Sequence, residues 1–289
     1  MGYDASKLIA KLCPNGVGFV ELNDLFITKN GYTPSTTDKN YWTDGTVPWF
    51  RMEDIRENGR ILNVSLQRIT SEAVKGGKLF PADSILIATS ATFGEHALIT
   101  VPHLSNQRFT SLAPKPEFSK QLDMKFVFYY CFVLDDWCRN NTTTSSFASV
   151  DMKGFKKFRF PVPPLEIQRE IVKVLDTFTE LEAELEARRK QYKHYRDTLL
   201  TFDDASTKRE RVRWAALSEI CLQTSSIKWA ETPNAEFAYI DLSSVDRMTH
   251  TIGETLPVDA GNAPSRAQQV VRTDDVLFGT TRPTLQRYC

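Results

Sequence analysis

The sequence predicts an α/β (α+β) fold in three successive parts: a mixed α/β region, one long coiled-coil-type helix, and a second region patterned like the start of the first. Three observations predict it. Apolar and β-branched runs alternate with turn signals over residues 12–163. A seven-residue apolar period runs through residues 165–202. The pattern of the first region returns about 190 residues later. At 289 residues the chain has room for about two domains, each large enough to bury a core without staples.

In the first region, the runs at residues 84–89, 97–101 and 109–113 read as strands. Asn30-Gly31, Asp44-Gly45, Asn58-Gly59 and Gly76-Gly77 mark turns. Residues 124–136 are aromatic-rich and read as helix. The tract 140–146 (NNTTTSS) is polar and reads as flexible, and a short basic stretch follows with Lys153, Lys156, Lys157 and Arg159.

Pro163-Pro164 then opens the long helix. Ile171, Phe178, Leu185, Tyr192 and Leu199 fall seven apart. Ile167, Val174, Leu181, Arg188, Tyr195 and Phe202 form a second series at the same period. Together they make an a/d seam, broken only at Arg188. Acidic residues crowd the start of the helix and basic residues its last third, which suits its dipole. A helix of roughly 57 Å cannot lie on one globular core along its whole length, so the seam predicts a partner helix. Ile171, Val174, Phe178, Leu181, Leu185, Tyr192, Tyr195 and Leu199 are the expected pairing residues, and heptad placement makes Tyr192 and Tyr195 packing residues rather than base stackers.

Residues 203–211 (DDASTKRER) read as a linker. Beyond them the chain repeats itself. Val17, Phe19, Leu22, Asp24 and Leu25 correspond to Val212, Trp214, Leu217, Glu219 and Ile220. Trp49, Phe50, Met52 and Ile55 correspond to Tyr239, Ile240, Leu242 and Val245. Asp83, Ile85, Leu86, Ile87 and Thr89 correspond to Asp274, Val276, Leu277, Phe278 and Thr280. The offsets are 195, 190 and 191 residues.

Composition narrows the function. The 36 Lys and Arg balance 36 Asp and Glu, which excludes a non-specific polycation. A nucleic-acid binder with this balance needs a local basic face. Residues 1–163 carry 19 basic against 16 acidic side chains. The five cysteines are scattered without a C-x-x-C, so a disulfide framework or zinc site is not expected and a reducing, cytoplasmic setting is. No metal site is expected from the four histidines either. No apolar run approaches a membrane span, and the start lacks a signal-peptide core. Motifs for methyl transfer, a P-loop, a nuclease or a G-x-S-x-G elbow are not found. No catalytic residue and no cofactor is therefore assigned.

Several segments carry a family resemblance. Leu12-Cys13-Pro14-Asn15-Gly16-Val17 and Val47-Pro48-Trp49-Phe50-Arg51-Met52-Glu53-Asp54-Ile55 resemble the opening and the early strand motif of specificity subunits of type I restriction–modification systems. Ala91-Thr92-Phe93-Gly94 resembles their G-A-T-I-G-type turn, with Ala in place of the first Gly. Asn106-Gln107-Arg108-Phe109 resembles another of their segments. Residues 160–172 (FPVPPLEIQREIV) resemble the family's P-x-P-P-x-x-x-Q-x-x-I-V opening of a long helix.

The resemblance implies two target recognition domains, each gripping half of a bipartite DNA sequence, spaced by two paired helices. It implies no catalysis. The partners it implies are double-stranded DNA, methyltransferase subunits and, through the complex, the restriction-translocation subunit, with no membrane. On this reading residues 1–163 are a mixed-sheet target recognition domain, 164–202 the spacer helix, 203–211 a linker, and 212–289 the N-terminal part of a second, apparently truncated recognition domain. A homodimer through the long helix would supply the missing partner helix.

DNA contacts follow by residue type. Lys29, Asn30, Tyr32 and Thr33 share a Gly-containing loop. Arg51, Arg56 and Arg60 flank the early strand motif. Ser90 and Thr92 sit in the resembling turn, and Thr142, Thr143, Ser145 and Ser146 in the polar tract. Lys153, Lys156, Lys157 and Arg159 are expected to hold phosphate. The alternative is a coiled-coil protein-interaction adaptor that does not bind DNA.

Overall fold

The computed structural model describes residues 5–143, 148–202, 213–281, 284 and 287–289. The expected linker 203–211, and Ser145 and Ser146 of the polar tract, lie outside the described residues. The chain divides into two units, Met1–Leu200 and Thr201–Cys289.

In the first unit, α1 (Ala5–Leu12) precedes β1 (Phe19–Glu21), which runs through the single-turn α2 (Leu22–Leu25) into β2 (Phe26–Asn30). Next come β3 (Val47–Phe50), α3 (Met52–Asn58), β4 (Ile61–Leu62), β5 (Gln67–Ile69), β6 (Ser84–Ala88), β7 (His96–Ile99), β8 (Leu104–Ser105) and β9 (Phe109–Pro114). Then follow α4 (Met124–Asn140), the hairpin β10 (Thr142–Thr143) and β11 (Ser149–Val150), α5 (Met152–Lys157), β12 (Arg159–Pro161) and α6 (Leu165–Leu200).

The central sheet has the order β2-β9-β6-β7-β4. Its pairs are antiparallel except β4 with β7, which are parallel. A second sheet, β5-β3-β8, is also mixed.

Strand geometry explains why residues 85–88 of β6 are all apolar. Alternate side chains point to opposite faces, so a strand covered on both sides needs apolar residues at every position. Ile85 and Ile87 enter one core with Leu22, Leu25, Phe26, Phe155 and the inner face of α4. Leu86 and Ala88 enter a second with Trp49, Phe50, Ile69 and Phe80. Asp123 caps α4, its carboxylate accepting from the backbone N–H groups of Lys125 and Phe126. The polar tract is not wholly irregular, as its residue types suggest: Thr142 and Thr143 pair antiparallel with Val150 and Ser149.

Among the described residues, the buried side chains of α6 lie at its start. Ile167 and Val172 are buried and Gln168 is fully so. Asp123 N donates to Gln168 Oε1 (2.8 Å), and Nε2 donates to the carbonyls of Gln121 (2.8 Å) and Pro163 (2.7 Å). This one buried amide joins the turn before α4 to the start of α6, which is a physical reason for a glutamine in the P-P-x-x-x-Q segment. Further along, Asp176 accepts from Lys125 Nζ and from the Tyr129 hydroxyl, both at 2.7 Å. Burial pushes the Asp176 carboxyl up, but these two hydrogen bonds and the Lys125 charge together hold it below the ordinary carboxylate value. The same contact raises Lys125. Past this point Phe178, Leu181, Leu185, Tyr192, Tyr195 and Leu199 are all more than half exposed.

The second unit contains α7 (Leu217–Ile220), β13 (Ser225–Ser226), β14 (Phe237–Tyr239), β15 (Leu256–Val258) and β16 (Gln269–Val270). Three features of its local structure follow the first unit at the offset of the sequence repeat. α7 matches α2 in length and in the extended backbone of its N-cap residue. The β14–β15 ribbon, with Phe237 opposite Val258, repeats the β3–β5 ribbon, with Val47 opposite Ile69. Asp274 takes a positive φ, as Asp83 does. Yet Val245 and Val258 are its only buried apolar residues among those described. Among the described residues no helix is long and apolar enough to cross a membrane.

Candidate nucleic-acid interface

Sheet topology gathers four distant segments at one end of the first unit. β2 ends there at Asn30 and β6 at Ala88, while β7 and β9 begin there, at His96 and Phe109. The turns 30–33, 88–95 and 105–109 therefore meet, and the hairpin of β10 and β11 joins them. Gly31 N donates to Phe109 O (2.9 Å) and Tyr32 N to Ser105 O (2.8 Å). A Cβ on Gly31 would lie 2.1 Å from Asn106 O, so only glycine allows this approach. Asn106 Oδ1 accepts from Arg108 N (3.1 Å), an Asx turn that holds the tip of the 105–109 turn.

Polar side chains run across this end as a strip. The Thr33 hydroxyl donates to Gln107 Oε1 (2.5 Å). Thr110 Oγ1 donates to Asn30 Oδ1 (3.0 Å) and lies 2.9 Å from Thr89 Oγ1. Thr89 N donates to Arg108 O, and Val150 N to Thr89 O. The backbones of Ser90 and Ser149 form an isolated antiparallel β-bridge, and Thr143 Oγ1 donates to Ser149 O (3.1 Å).

The turn 88–95 is clamped from behind by α4. His96 Nδ1 lies 2.7 Å from Asp135 Oδ2, with Arg60 at 3.6 Å, and Arg139 Nη1 donates to Gly94 O (3.0 Å). Burial pushes the Asp135 carboxyl up, opposed by the His96 hydrogen bond and the nearby arginines. A Cβ on Gly94 would lie 2.2 Å from Asp135 O. Ala91, the residue that stands where the resembling turn has glycine, takes φ +65°, a left-handed conformation that strains an L-residue.

The structure brings together some of the expected residues and separates others. Asn30, Ser90 and Thr143 lie in the strip, and Thr92 lies on the same turn as Ser90. Arg51 follows Phe50, whose carbonyl accepts from Asn106 N (3.1 Å), so its backbone is beside the 105–109 turn. Buried Asp54 fixes that backbone by accepting from Arg51 N (2.7 Å) and Leu66 N (2.6 Å). The Arg51 guanidinium lies over Trp49 and beside Glu53.

Tyr32 is half-buried, with its hydroxyl held by the fold. Its hydroxyl donates to Ala73 O (3.0 Å) and accepts from Lys75 N (2.8 Å), making it a strut. Arg60 is engaged with Asp135 and the Phe132 ring. Lys29 lines a shallow concavity with Ile27, Phe80 and Ser111, and Arg56 lies farther along α3, exposed.

The basic stretch forms a line rather than a cluster. Val150 N on Thr89 O fixes one end of α5 near the strip, and Leu22 N on Phe158 O fixes the other end away from it. Lys153 is nearest the strip, Lys156 and Lys157 follow, and Arg159 lies over the Phe19 ring (5.4 Å). Among the described residues none of the four has an acidic partner.

Gln107, Arg108, Thr110 and Ser149 belong to the strip but were not among the expected contacts. The signal for the first two was already in the sequence, as the polar Asn-Gln-Arg just before an apolar strand. Thr110 and Ser149 became visible only once the strands were paired.

Comparison with known proteins yields concordant matches. Residues 14–192 match a family model described as the type I restriction modification DNA specificity domain. The specificity subunit of the type I restriction enzyme EcoprrI of Escherichia coli is 59% identical over 210 residues, covering 68% of this chain and 52% of that protein. A second Escherichia coli type I specificity subunit is 34% identical over 194 residues, covering 61% of this chain and 46% of it. The chain thus spans about half the length of these curated relatives. A solved chain from work on complex assembly and conformational transition of the type I R-M system shares the fold, with a TM-score of 0.51 at 20% identity over 68% of this chain and 48% of that one. These matches favour the DNA-specificity reading of the sequence over the adaptor reading.

Proposed function

Since the chain belongs to the family of type I restriction modification DNA specificity domains, we propose that it is a non-catalytic DNA sequence-specificity subunit that reads a half-site of a bipartite target in the cytoplasm. The observation that carries this reading is the family match itself. It runs from residue 14 to residue 192 and so takes in both the polar strip and most of α6. In the proposal, the strip residues Asn30, Ser90 and Thr143 approach base edges, together with Thr92 on the same turn as Ser90. Lys153, Lys156, Lys157 and Arg159 hold phosphate along the line leading away, with Arg51, Arg56, Lys29 and Tyr32 in supporting positions. Phosphate contacts supply affinity and register, while hydroxyl and amide groups on rigid turns supply the choice of sequence.

The exposed face of α6 is the assembly element. Ile171, Val174, Phe178, Leu181, Leu185, Tyr192, Tyr195 and Leu199 pair with a second helix, and a second copy of α6 meets that need in a homodimer. The methyltransferase subunits, and through them the restriction-translocation subunit, are positioned by this scaffold and carry the chemistry.

The test is binding of the chain, assembled with its methyltransferase subunits, to duplex DNA of varied sequence at several salt concentrations. The proposal predicts preference for a defined sequence and an affinity that falls steeply with salt, with a shallower slope after Lys156→Ala plus Lys157→Ala. Salt-independent binding, or equal binding to every duplex, contradicts it.

A further inference from the structure

We propose that Gln107 reads the adenine of an A·T pair in the major groove and that Thr33 fixes it in the reading orientation. This assignment rests on the DNA-specificity reading above and extends it to one residue and one base.

Three observations carry it. The backbone under Gln107 is held from several sides. The Asn106 side chain accepts from Arg108 N, Thr89 N donates to Arg108 O, and the Gly31 approach closes the remaining side. A reading residue needs such a support, because a side chain on a drifting loop loses its geometry. Second, the Thr33 hydroxyl, 74 residues away in sequence, donates to Gln107 Oε1 at 2.5 Å. With the amide oriented this way, the bond takes up one lone pair of Oε1. Oε1 keeps one lone pair and Nε2 keeps both protons, so the amide presents an acceptor beside a donor. Adenine's major-groove edge is the complement, with the N6 donor beside the N7 acceptor. Guanine presents two acceptors there, and neither pyrimidine presents a donor beside an acceptor. Third, Gln107 is exposed, and among the described residues only Thr33 engages its amide. The adjacent Arg108 is exposed without an acidic partner among the described residues, which puts a free cation next to the reading group.

The experiment selects bound duplexes from a randomised pool, using the full chain assembled with its methyltransferase subunits, and sequences them. The wild-type complex is expected to require adenine at one position. Gln107→Ala is expected to lower that preference by about 10- to 100-fold while the other positions stay unchanged. Thr33→Val is expected to weaken the same position by a smaller factor. Gln107→Glu is expected to move the preference toward cytosine, since a carboxylate accepts from cytosine N4. Thermal unfolding of each variant runs alongside. An unchanged motif in Gln107→Ala, with or without a lower melting temperature, reduces the Thr33–Gln107 contact to a structural tie and overturns the assignment. So does a loss of affinity spread evenly over all sequences. A wild-type complex that selects no sequence fails differently, because it removes the DNA-specificity reading itself.

Discussion

In the first unit, α2 delivers Leu22 and Leu25 to a core from which water is excluded, both at 0% exposure. In the second, α7 makes the same single turn with Leu217 and Ile220, the residues at matching positions, 74% and 64% exposed. The contrast continues along the repeat. Ile87 is fully buried, whereas Phe278 at the corresponding place is 67% exposed. Local sequence sets the local backbone in both units, down to the left-handed aspartates at 83 and 274. Burial depends on what stands opposite. In the first unit the β3–β5 ribbon packs on a five-stranded sheet backed by α4, and among the described residues the second unit has no such sheet to set against its ribbon. Strand preference is therefore a statement about fitting a half-buried surface, and it yields stability only when the other half is supplied.

Truncating matched positions in the two units should have very different effects. Ile87→Ala is expected to cost about 2–5 kcal/mol by urea unfolding, through lost burial and the cavity left behind. Phe278→Ala is expected to change stability by no more than about 0.5 kcal/mol. Equal effects would contradict the contrast. The same contrast predicts that limited proteolysis cuts within residues 213–289 before it cuts the first unit; the reverse order would contradict it.

Acid sharpens the comparison next, because it acts on a buried group of the first unit. His103 is buried between Phe50 and Phe80, with its Nδ1 2.8 Å from Val101 O. Burial lowers its pKa to about 4, against a smaller opposing effect of the Val101 hydrogen bond. The unfolded chain takes up this proton at a higher pH than the folded one. The stability His103 contributes is therefore present above about pH 6.5 and lost as pH falls toward 4, up to about 3 kcal/mol in all. His103→Phe is expected to flatten the unfolding midpoint of the first unit over that range. An unchanged pH dependence in the variant would assign the acid sensitivity elsewhere.

Smaller effects probe the two junctions of the first unit. Gln168→Ala strands Asp123 N and two carbonyls at the start of α6, and is expected to cost about 1–3 kcal/mol. A loss below about 0.5 kcal/mol would mean that apolar packing alone holds the helix. Ala91→Gly relieves a left-handed residue and is expected to stabilise by no more than about 1 kcal/mol, offset in part by the freer unfolded chain. A destabilised Ala91→Gly would show that the turn is not strained as built.

Much of this architecture was legible in the sequence. The heptads marked α6 because an unburied stripe still has to repeat every seven residues, and Asn30-Gly31 and the run at β6 were readable as a turn and as a strand. The strip was legible only in pieces. Asn30, Ser90 and Thr143 were found by residue type, but Thr33 and Gln107 meet because β2 and β9 pair at one end of the sheet, and no local pattern announces that. The role of the Tyr32 hydroxyl was hidden for the same reason, since its partners Ala73 O and Lys75 N lie some forty residues away in sequence. Gln168 was visible as part of a motif, while its work, saturating three backbone groups, needed the position of α4.

On the proposed function, the loop end of the first unit chooses the DNA sequence. This is tested most directly by sequencing modified bases in a host without DNA methylation of its own, where this chain is expressed with its methyltransferase subunits, first as wild type and then with Asn30→Ala and Ser90→Ala combined. A defined methylated motif is expected in the first case and a motif altered in one half only in the second. No motif, or the same motif from both, would contradict it.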